Sequence, residues 1–557
     1  MNKLVKLIVV TLLLALPSLR ADELVLKAGD RVVVYGDSIT QQRIYSRYLQ
    51  QYVQCRYPDL KVKFFNAGWS CDTAPGGLGR LERDVLWLKP TVVTVFYGMN
   101  DGGYRPVQDS IVARYRTGEE GIIKALQAKG VRVVVFTPGC IDPDSRKDLG
   151  AINYNQNLET LGKTVLDLAK QYDCPAADVF HPLVSFQTAQ KAKQANFTII
   201  PDGVHPNPPG HLVMAQAMLQ GLGVAPMPAL GAVDLAARQG SDLRVVSTTA
   251  GQTVLETTRP IHMPFWFDPA AGDVMRECGF LGNLAGQKLT VKSLAPGFYK
   301  LTIDGAGVGK TSTADGADAG KYSADQLAAG VMVPGTFSAA GKRIHDLIEQ
   351  KENNYYTAWR EVRLPLAEVT GVSQVVDGLM VANDGYETAI NSLAQPLAKL
   401  TLTLTAAPEG PNLALKKTYE CSDPNQYGWG VGGLTDGSWE GDYQHTFMSS
   451  DSTNFPKTVT INLEKPLKVG TILFGVPPFG STKTVKVSVS ADGKTFSEVG
   501  AHVFSTRKAE KAAVTFPPVE AMYVRLTYVD HYNEDAGAPP CFAFTSEVEV
   551  YAPSQAK

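Results

Sequence analysis

Four short segments carry the residue types that acyl transfer through serine requires: Gly36-Asp37-Ser38-Ile39-Thr40, Asn66-Ala67-Gly68, Gly98-Met99-Asn100-Asp101 and Asp202-Gly203-Val204-His205-Pro206. A serine hydroxyl is a weak nucleophile until a neighbouring base takes its proton, and the base works only when a third group fixes its tautomer and orientation. Ser38, His205 and Asp202 can fill these three roles. Asp202 and His205 stand three residues apart, so one short loop can set the carboxylate beside the imidazole. The reaction also needs donors aimed at the oxygen that becomes negative; Gly68 and Asn100 can supply them.

Taken singly, each segment also suits an ordinary turn, because Gly tolerates positive φ and Asp, Asn and Ser bond their own backbone. Context separates the two readings. Ser38 follows the apolar run 31–35 and Asn100 follows the run 91–97, both of which read as buried parallel strands. Active sites of open α/β sheets lie at such carboxyl ends. Strand-like runs at 31–35, 62–66, 91–97, 132–137 and 176–180 alternate with amphipathic helical stretches such as 43–55, 118–128 and 158–171. This alternation implies a parallel sheet covered on both faces. His211 opens a helix over 210–219 and reads as a packing or surface histidine, not a second base.

The four segments resemble the blocks of the SGNH, or GDSL, hydrolases, named for their Ser, Gly, Asn and His. The resemblance implies a flavodoxin-like αβα hydrolase domain over residues 22–228. It also implies Ser38 as nucleophile, with His205 as general base and Asp202 as its orienter. The amides of Ser38 and Gly68 and the side chain of Asn100 would form the oxyanion hole. The family spans lipases, thioesterases, arylesterases and carbohydrate deacetylases, so it predicts the reaction better than the substrate.

The first 21 residues carry Lys3 and Lys6, an apolar stretch over 7–16, Pro17 and a Leu19-Arg20-Ala21 end. This is the pattern of a secretory signal, with cleavage expected near Ala21. It is shorter than the ~20 apolar residues of a spanning helix, and no other segment is long and apolar enough. A secreted or periplasmic protein, not membrane-spanning after cleavage, is expected. The 557 residues hold 53 basic and 55 acidic side chains, a formal net charge of −2. That balance offers no general field for a polyanion, which excludes nucleic acid as an expected partner. Of the seven cysteines, Cys421 and Cys541 lie near the ends of the last domain. A disulfide there would close a long loop and stabilise by about 4 kcal/mol in the chain-entropy model. Cys71, close to Gly68 but without an adjacent base, reads as packing.

A chain of this length implies more than one core. After residue 226 short β-like runs with Gly-rich turns replace the earlier alternation: 244–248, 252–256, 288–291 and 297–303. They suggest a small β-sandwich ending near Pro334, within a middle domain over 229–405. A helix over 340–360 carries Ile344, Leu347 and Ile348, then Tyr355, Tyr356 and Trp359. It packs either back on the hydrolase domain or on the β-sandwich alone, with its aromatics in a core. The stretch 406–411 reads as a linker.

Beyond it, period-two alternation across 412–557 indicates an all-β sandwich. The order of its runs resembles a discoidin-like domain, the coagulation-factor C-type fold shared with many carbohydrate-binding modules. That resemblance implies a structural calcium held by loop carbonyls, an Asp of an Asp-Gly turn and a Glu near the last strand, here Asp436 and Glu547. The Ser438-Trp439-Glu440 that follows the turn departs from the family's usual further Asp and Thr. Trp429, Trp439, Tyr443 and His445 cluster near one proposed loop end and are candidates for stacking on sugar faces.

Together these readings predict a serine esterase that removes ester-linked acyl groups, O-acetyl above all, from a polysaccharide or glycan, with no cofactor in the chemistry. Two alternatives stand beside it: a lipase or general arylesterase with the same residues, and a glycan-binding or adhesion protein in which the hydrolase fold survives without catalysis.

Overall fold

The computed structural model describes residues 23–553 except 250, 268–270, 306–316, 336–337, 431–432, 440, 443–444 and 534–538. The expected signal segment therefore lies outside the described residues, as does Tyr443.

Valine-rich runs bury on both faces and pair in parallel. β1 (Arg31–Gly36), β2 (Lys63–Gly68), β3 (Val92–Phe96), β4 (Arg132–Phe136) and β5 (Ala176–Ala177) form a sheet of order β2-β1-β3-β4-β5. Between them run α1 (Ser38–Gln41), α2 (Ile44–Arg56), α3 (Ala74–Asp84), α4 (Asp109–Gln127), α5 (Lys147–Ala151), α6 (Tyr154–Gln171), α7 (Phe180–Lys193) and α8 (Pro208–Gly221). Side chains alternate across a strand. Accordingly Val32 and Val34 enter a core shared with α2 and α8, whereas Val33 and Tyr35 enter one shared with α3, α4 and α6. This is the three-layer arrangement that the sequence implies.

The expected last strand, 176–180, is cut short. The Thr137 hydroxyl accepts the Val179 and Phe180 amides (2.8 and 3.1 Å) and turns the chain out of the sheet into α7. The helix expected over 118–128 begins earlier, at Asp109, because Ile111, Val112 and Tyr115 extend its apolar face.

The middle region is built on two sheets. β6 (Gly231–Asp234), β7 (Gln239–Ser241), β10 (Gln287–Lys292) and β13 (Val331–Val333) form the first, in order β13-β10-β6-β7. The second contains β8 (Leu243–Thr248), β9 (Gln252–Thr257), β11 (Phe298–Gly305), β12 (Ala317–Ser323) and β14 (Leu400–Ala407), in order β12-β11-β14-β9-β8. Short helices α9 (Gly272–Glu277) and α10 (Ala324–Ala329) complete it. The sandwich does not end near Pro334: β14 sits between β11 and β9 with Leu400, Leu402 and Leu404 fully buried. This strand also takes the first two residues of the expected linker.

Before β14 the chain makes an excursion through α11 (Ala339–Tyr356), a π-helical stretch (Thr357–Arg363) and α12 (Val372–Leu393). Sequence patterning gave no sign of α12. The excursion packs on the hydrolase domain, which decides between the two placements expected for the first helix. Lys351 Nζ, 1% exposed, donates to Phe64 O in β2 (2.6 Å), Gln50 Oε1 in α2 (2.8 Å) and Glu387 Oε1 in α12 (2.7 Å). Its three N–H groups thus have three acceptors, the condition under which an ammonium tolerates burial. Tyr355 packs on Phe65, with ring centroids 5.4 Å apart, and fully buried Trp359 donates to Asp84 Oδ1 (3.2 Å). Tyr355 and Trp359 are core, as expected, whereas Tyr356 is half-buried.

The C-terminal domain has its own core. β15 (Tyr419–Cys421), β17 (Lys457–Val476), β18 (Thr484–Ser490), β19 (Ser497–Val503) and β20 (Glu510–Tyr528) run in order β15-β17-β20-β18-β19, and β22 (Glu547–Tyr551) pairs with β17. β16 (Phe447–Met448) and β21 (Phe544–Thr545) form a separate ribbon. All seven cysteines are free thiols, so the Cys421–Cys541 bridge is absent. A buried lysine ties the same two segments: Lys457 Nζ meets Asp423 Oδ2 (2.7 Å) and donates to Cys541 O (2.6 Å). Among the described residues no helix is long and apolar enough to cross a membrane.

Candidate active site

β1 ends at Gly36, and Asp37 caps α1 by accepting the Ile39 amide (2.9 Å). Ser38 is the first residue of that helix, so its N–H has no helical partner and is presented outward. Its Oγ lies 2.8 Å from His205 Nε2. His205 comes from the loop between α7 and α8, and its Nδ1 lies 2.7 Å from Asp202 Oδ2. The other carboxylate oxygen, Oδ1, accepts the amides of Val204 (2.9 Å) and His205 (2.7 Å), which fixes the loop that carries the imidazole. Burial pushes the Asp202 carboxyl up, but these amides and the imidazole more than offset it and hold it below the usual carboxylate range. An ionised Asp202 at Nδ1 assigns the proton there, leaving Nε2 to accept from Ser38. The three residues expected to work together are thus in one hydrogen-bonded line.

The expected oxyanion donors divide. Asn100 Nδ2 donates to Asp72 O (2.9 Å), and Asn100 Oδ1 accepts from Tyr104 OH (2.9 Å), leaving one carboxamide N–H. The Gly68 amide, by contrast, is committed to Asn66 Oδ1 (3.0 Å). This corrects the donor role expected of Gly68. Its glycine has a steric cause: a Cβ there would lie 2.3 Å from Gln41 N and 2.6 Å from Thr40 C, inside the backbone of α1. Three residues on, exposed Cys71 takes φ 61° and its amide makes no hydrogen bond among the described residues. Cys71 therefore does not pack, which corrects the reading from its sequence context. Gly98, at φ 128° and with Pro138 in the space a Cβ would need, lets the chain turn from β3 toward Asn100.

The sheet rim beneath these groups is tied by Arg80, 7% exposed, which sequence reasoning did not single out. Its NH2 donates to Gly36 O (3.0 Å) and Tyr97 OH (2.8 Å), its NH1 to Ala67 O (2.9 Å) and its Nε to Asp72 Oδ2 (2.7 Å). The guanidinium also lies over the Tyr35 ring, 4.4 Å from its centroid. His211 is fully buried, bonded to Gln42 Oε1 (2.8 Å) and stacked on Tyr45. Burial and the charges of Arg47 and His205 push it down to about 3, so it stays neutral and packs.

In the C-terminal domain the three described members of the expected sugar-contacting cluster each have partners within the domain. Trp429 packs against Phe479 and Phe544 (6.1 and 6.2 Å), Trp439 donates its indole N–H to Glu549 Oε1 (2.9 Å), and His445 Nδ1 pairs with Asp436 Oδ2 (2.7 Å). The aromatic most open to solvent near Trp429 is Tyr427, 57% exposed, set edge-on to Phe542. Asp436 and Glu547 do lie together, at the Gly437 turn whose amide donates to Glu547 Oε2 (3.0 Å). Glu547 Oε1 is buried without a hydrogen bond. Burial, then the neighbouring carboxylates Asp436 and Glu549, push Glu547 up to about 10.

Two buried carboxyls flank the Ser38 rim. Burial pushes Asp37 and Asp101 each up to about 7. In the unfolded chain these groups lose their protons near 3.9. Between about pH 4 and 7 the native state therefore binds more protons than the unfolded state, and stability falls as pH rises, by at most ~1.4 kcal/mol per pH unit for each group. Asp101→Asn, which keeps the oxygen that accepts the Ala74 amide (2.9 Å), is expected to shallow this slope between pH 4 and 7 in denaturant titrations. An unchanged slope would contradict the buried, protonated state.

Comparison with known proteins identifies two domains. The GDSL-like Lipase/Acylhydrolase family model matches residues 34–213, and the F5/8 type C domain model matches residues 418–540. An acetylxylan esterase from Geobacillus stearothermophilus is 22% identical over 222 residues, covering 35% of this chain and 95% of that protein. A solved structure of a gut microbial diltiazem-metabolizing enzyme, 20% identical, covers 70% of this chain and 100% of its own with a TM-score of 0.56. That coverage exceeds the hydrolase domain, so the fold shared with it reaches beyond the catalytic sheet. The chain is therefore a hydrolase with a GDSL-like lipase/acylhydrolase domain at residues 34–213 and an F5/8 type C, discoidin-like domain at residues 418–540.

Proposed function

We propose that the protein is an exported serine esterase that removes acetyl groups from an acetylated polysaccharide through an acyl-enzyme on Ser38. The observation that carries the reading is the continuous line from Ser38 Oγ to His205 Nε2 (2.8 Å) and from His205 Nδ1 to Asp202 Oδ2 (2.7 Å). In the first step His205 Nε2 takes the hydroxyl proton while Oγ bonds to the ester carbonyl carbon. The carbonyl oxygen becomes negative and is met by the Ser38 amide, the remaining Asn100 Nδ2 N–H and the unpartnered Cys71 amide, which takes the place first given to Gly68. Imidazolium then protonates the departing sugar oxygen, the C–O bond breaks, and acetate stays on Ser38. Water, deprotonated by His205, attacks the acyl carbon; the proton returns through His205 to Ser38 as acetate leaves. Asp202 stabilises the imidazolium throughout.

The choice of substrate rests on the acetylxylan esterase relative, which covers nearly all of that protein, and on the appended discoidin-like domain. Export rests on the pattern of residues 1–21. Purified protein is expected to release acetate from acetylated xylan oligomers faster than it hydrolyses long-chain aryl esters, and Ser38→Ala is expected to lower kcat by roughly 10³-fold or more. Faster turnover of long chains would replace this reading with the lipase one, and full activity of Ser38→Ala would remove the nucleophile.

The discoidin-like domain serves, in this proposal, to hold the enzyme on its polymer, with the Tyr427 and Phe542 rings as the sugar-facing aromatics. Removing residues 412–557 should weaken binding to insoluble acetylated xylan while sparing turnover of small soluble esters. Equal loss of both would assign the domain a structural role.

Glu547 and Asp436 fit the calcium that the discoidin resemblance implies. A buried carboxyl with an open oxygen, beside a second carboxylate, stays buried only as the neutral acid or by sharing a cation, and hard oxygen donors suit Ca²⁺. Bound there, the ion would neutralise the pair and brace the loop end. Millimolar CaCl₂ is expected to raise the melting temperature of the protein by several degrees, an effect absent in Glu547→Gln. No calcium-dependent shift in the parent protein would remove the site.

A further inference from the structure

Tyr104 stands in a backbone conformation that its own chemistry does not favour. Its φ is 53°, a left-handed geometry costing a bulky residue on the order of 1–3 kcal/mol, which persists only where the surroundings impose it. Two contacts from α6 do so. Tyr154 OH donates to Met99 O (2.5 Å), and Asn157 Nδ2 donates to Gly102 O (3.1 Å) and Arg105 O (3.0 Å), so the loop is anchored before and after Tyr104. The Tyr104 ring stacks on Tyr154, with centroids 5.3 Å apart and planes 21° from parallel, yet remains 38% exposed. Its hydroxyl reaches back to Asn100 Oδ1 at 2.9 Å.

That contact and one from Asp72 together settle the carboxamide of Asn100. Asp72 O can only accept, so the Asn100 nitrogen must face it (2.9 Å), and the oxygen must face Tyr104. With Oδ1 held by the phenol and one N–H held by Asp72 O, rotation about the last side-chain torsion is blocked, and the second N–H has one direction. Burial, and next the Asp37 charge, push the phenol up to about 12, so it keeps the proton it donates.

We propose that Tyr104 is a positioning residue for the esterase reaction: its hydroxyl pre-aims the Asn100 N–H at the oxygen that becomes negative. The inference rests on the oxyanion role given to Asn100 above. A donor held in place before the reaction begins stabilises developing charge without reorganisation at the moment of attack, which appears in kcat more than in KM.

The test is a double-mutant cycle with 4-nitrophenyl acetate, using the full chain. Tyr104→Phe keeps the ring stack and removes only the hydroxyl. It is expected to lower kcat about 10-fold, the scale of one lost hydrogen bond, with KM within about 2-fold and the melting temperature unchanged. Asn100→Ala is expected to lower kcat by roughly 10²-fold or more. In the Asn100→Ala background, Tyr104→Phe is expected to have no further effect, because its only target is gone. Parent-like kcat in Tyr104→Phe, or an undiminished 10-fold loss in the double variant, would overturn the proposal while leaving Asn100 in its role. Parent-like kcat in Asn100→Ala would instead remove the oxyanion reading itself.

Discussion

The rim that carries the chemistry is held by one buried cation. Ser38 follows β1 and the loop through Cys71 follows β2, and Arg80 bonds a carbonyl near the end of each strand, Gly36 O in β1 and Ala67 O in β2, from a single guanidinium. No other side chain offers donors in a rigid fork wide enough to span two strand ends, which is why lysine would not substitute. Such a cation is tolerable in a 7% exposed position because the carboxylates of Asp72 and buried Asp84 neutralise it and Tyr97, Gly36 and Ala67 accept its other donors. Asp72 in turn presents its own carbonyl to Asn100. Ser38 and Asn100 are therefore referenced to the same ion pair, although they follow different strands.

The middle domain contributes to this construction through polar contacts. Glu352 on α11 is buried and accepts from Ser46 Oγ (3.3 Å); Ser46 in turn accepts from Asn66 Nδ2 (3.0 Å). Asn66 Nδ2 also donates to Thr40 O (2.8 Å), and Asn66 Oδ1 takes the Gly68 amide. One side chain thus joins the end of β2, the helix that begins with Ser38, and the returning helix of the next domain. Arg43, immediately after the nucleophile helix and at φ 61°, reaches the same helix through Asn353 Oδ1 (3.0 Å) and the Tyr356 ring. These polar contacts, added to the Lys351–Glu387 pair and the Tyr355 and Trp359 rings, make the excursion between β13 and β14 part of the hydrolase wall.

Much of this was legible in the sequence because the signals are local. Uninterrupted β-branched runs alternating with amphipathic stretches marked the parallel sheet and its first four strands to within a residue or two, and the Asp202–His205 spacing placed carboxylate beside imidazole. Gly68 shows the limit of such reading: the residue mattered as expected, but through the absence of a Cβ against α1 and not through its N–H. Among the described residues the free amide is that of Cys71, and nothing in a cysteine's identity announces a left-handed backbone. Arg80, Tyr104 and Glu352 act through contacts with residues remote in the chain, which no period or motif encodes. α12 was missed because Gly378 and Gly385 interrupt its pattern, and its stability comes from burying Val376, Asn383, Glu387 and Ile390 against neighbours contributed by other segments. The central place of β14 is likewise a long-range pairing, invisible to local alternation.

The account turns on Ser38 being a nucleophile activated by His205. Its most direct test is intact-protein and peptide mass spectrometry after brief treatment with a fluorophosphonate, which reports an activated serine irrespective of the natural ester. The account predicts one adduct per chain, carried by the peptide containing Ser38, and its loss in His205→Ala. A protein that stays unlabelled, or an adduct on another residue that persists in Ser38→Ala, would contradict it.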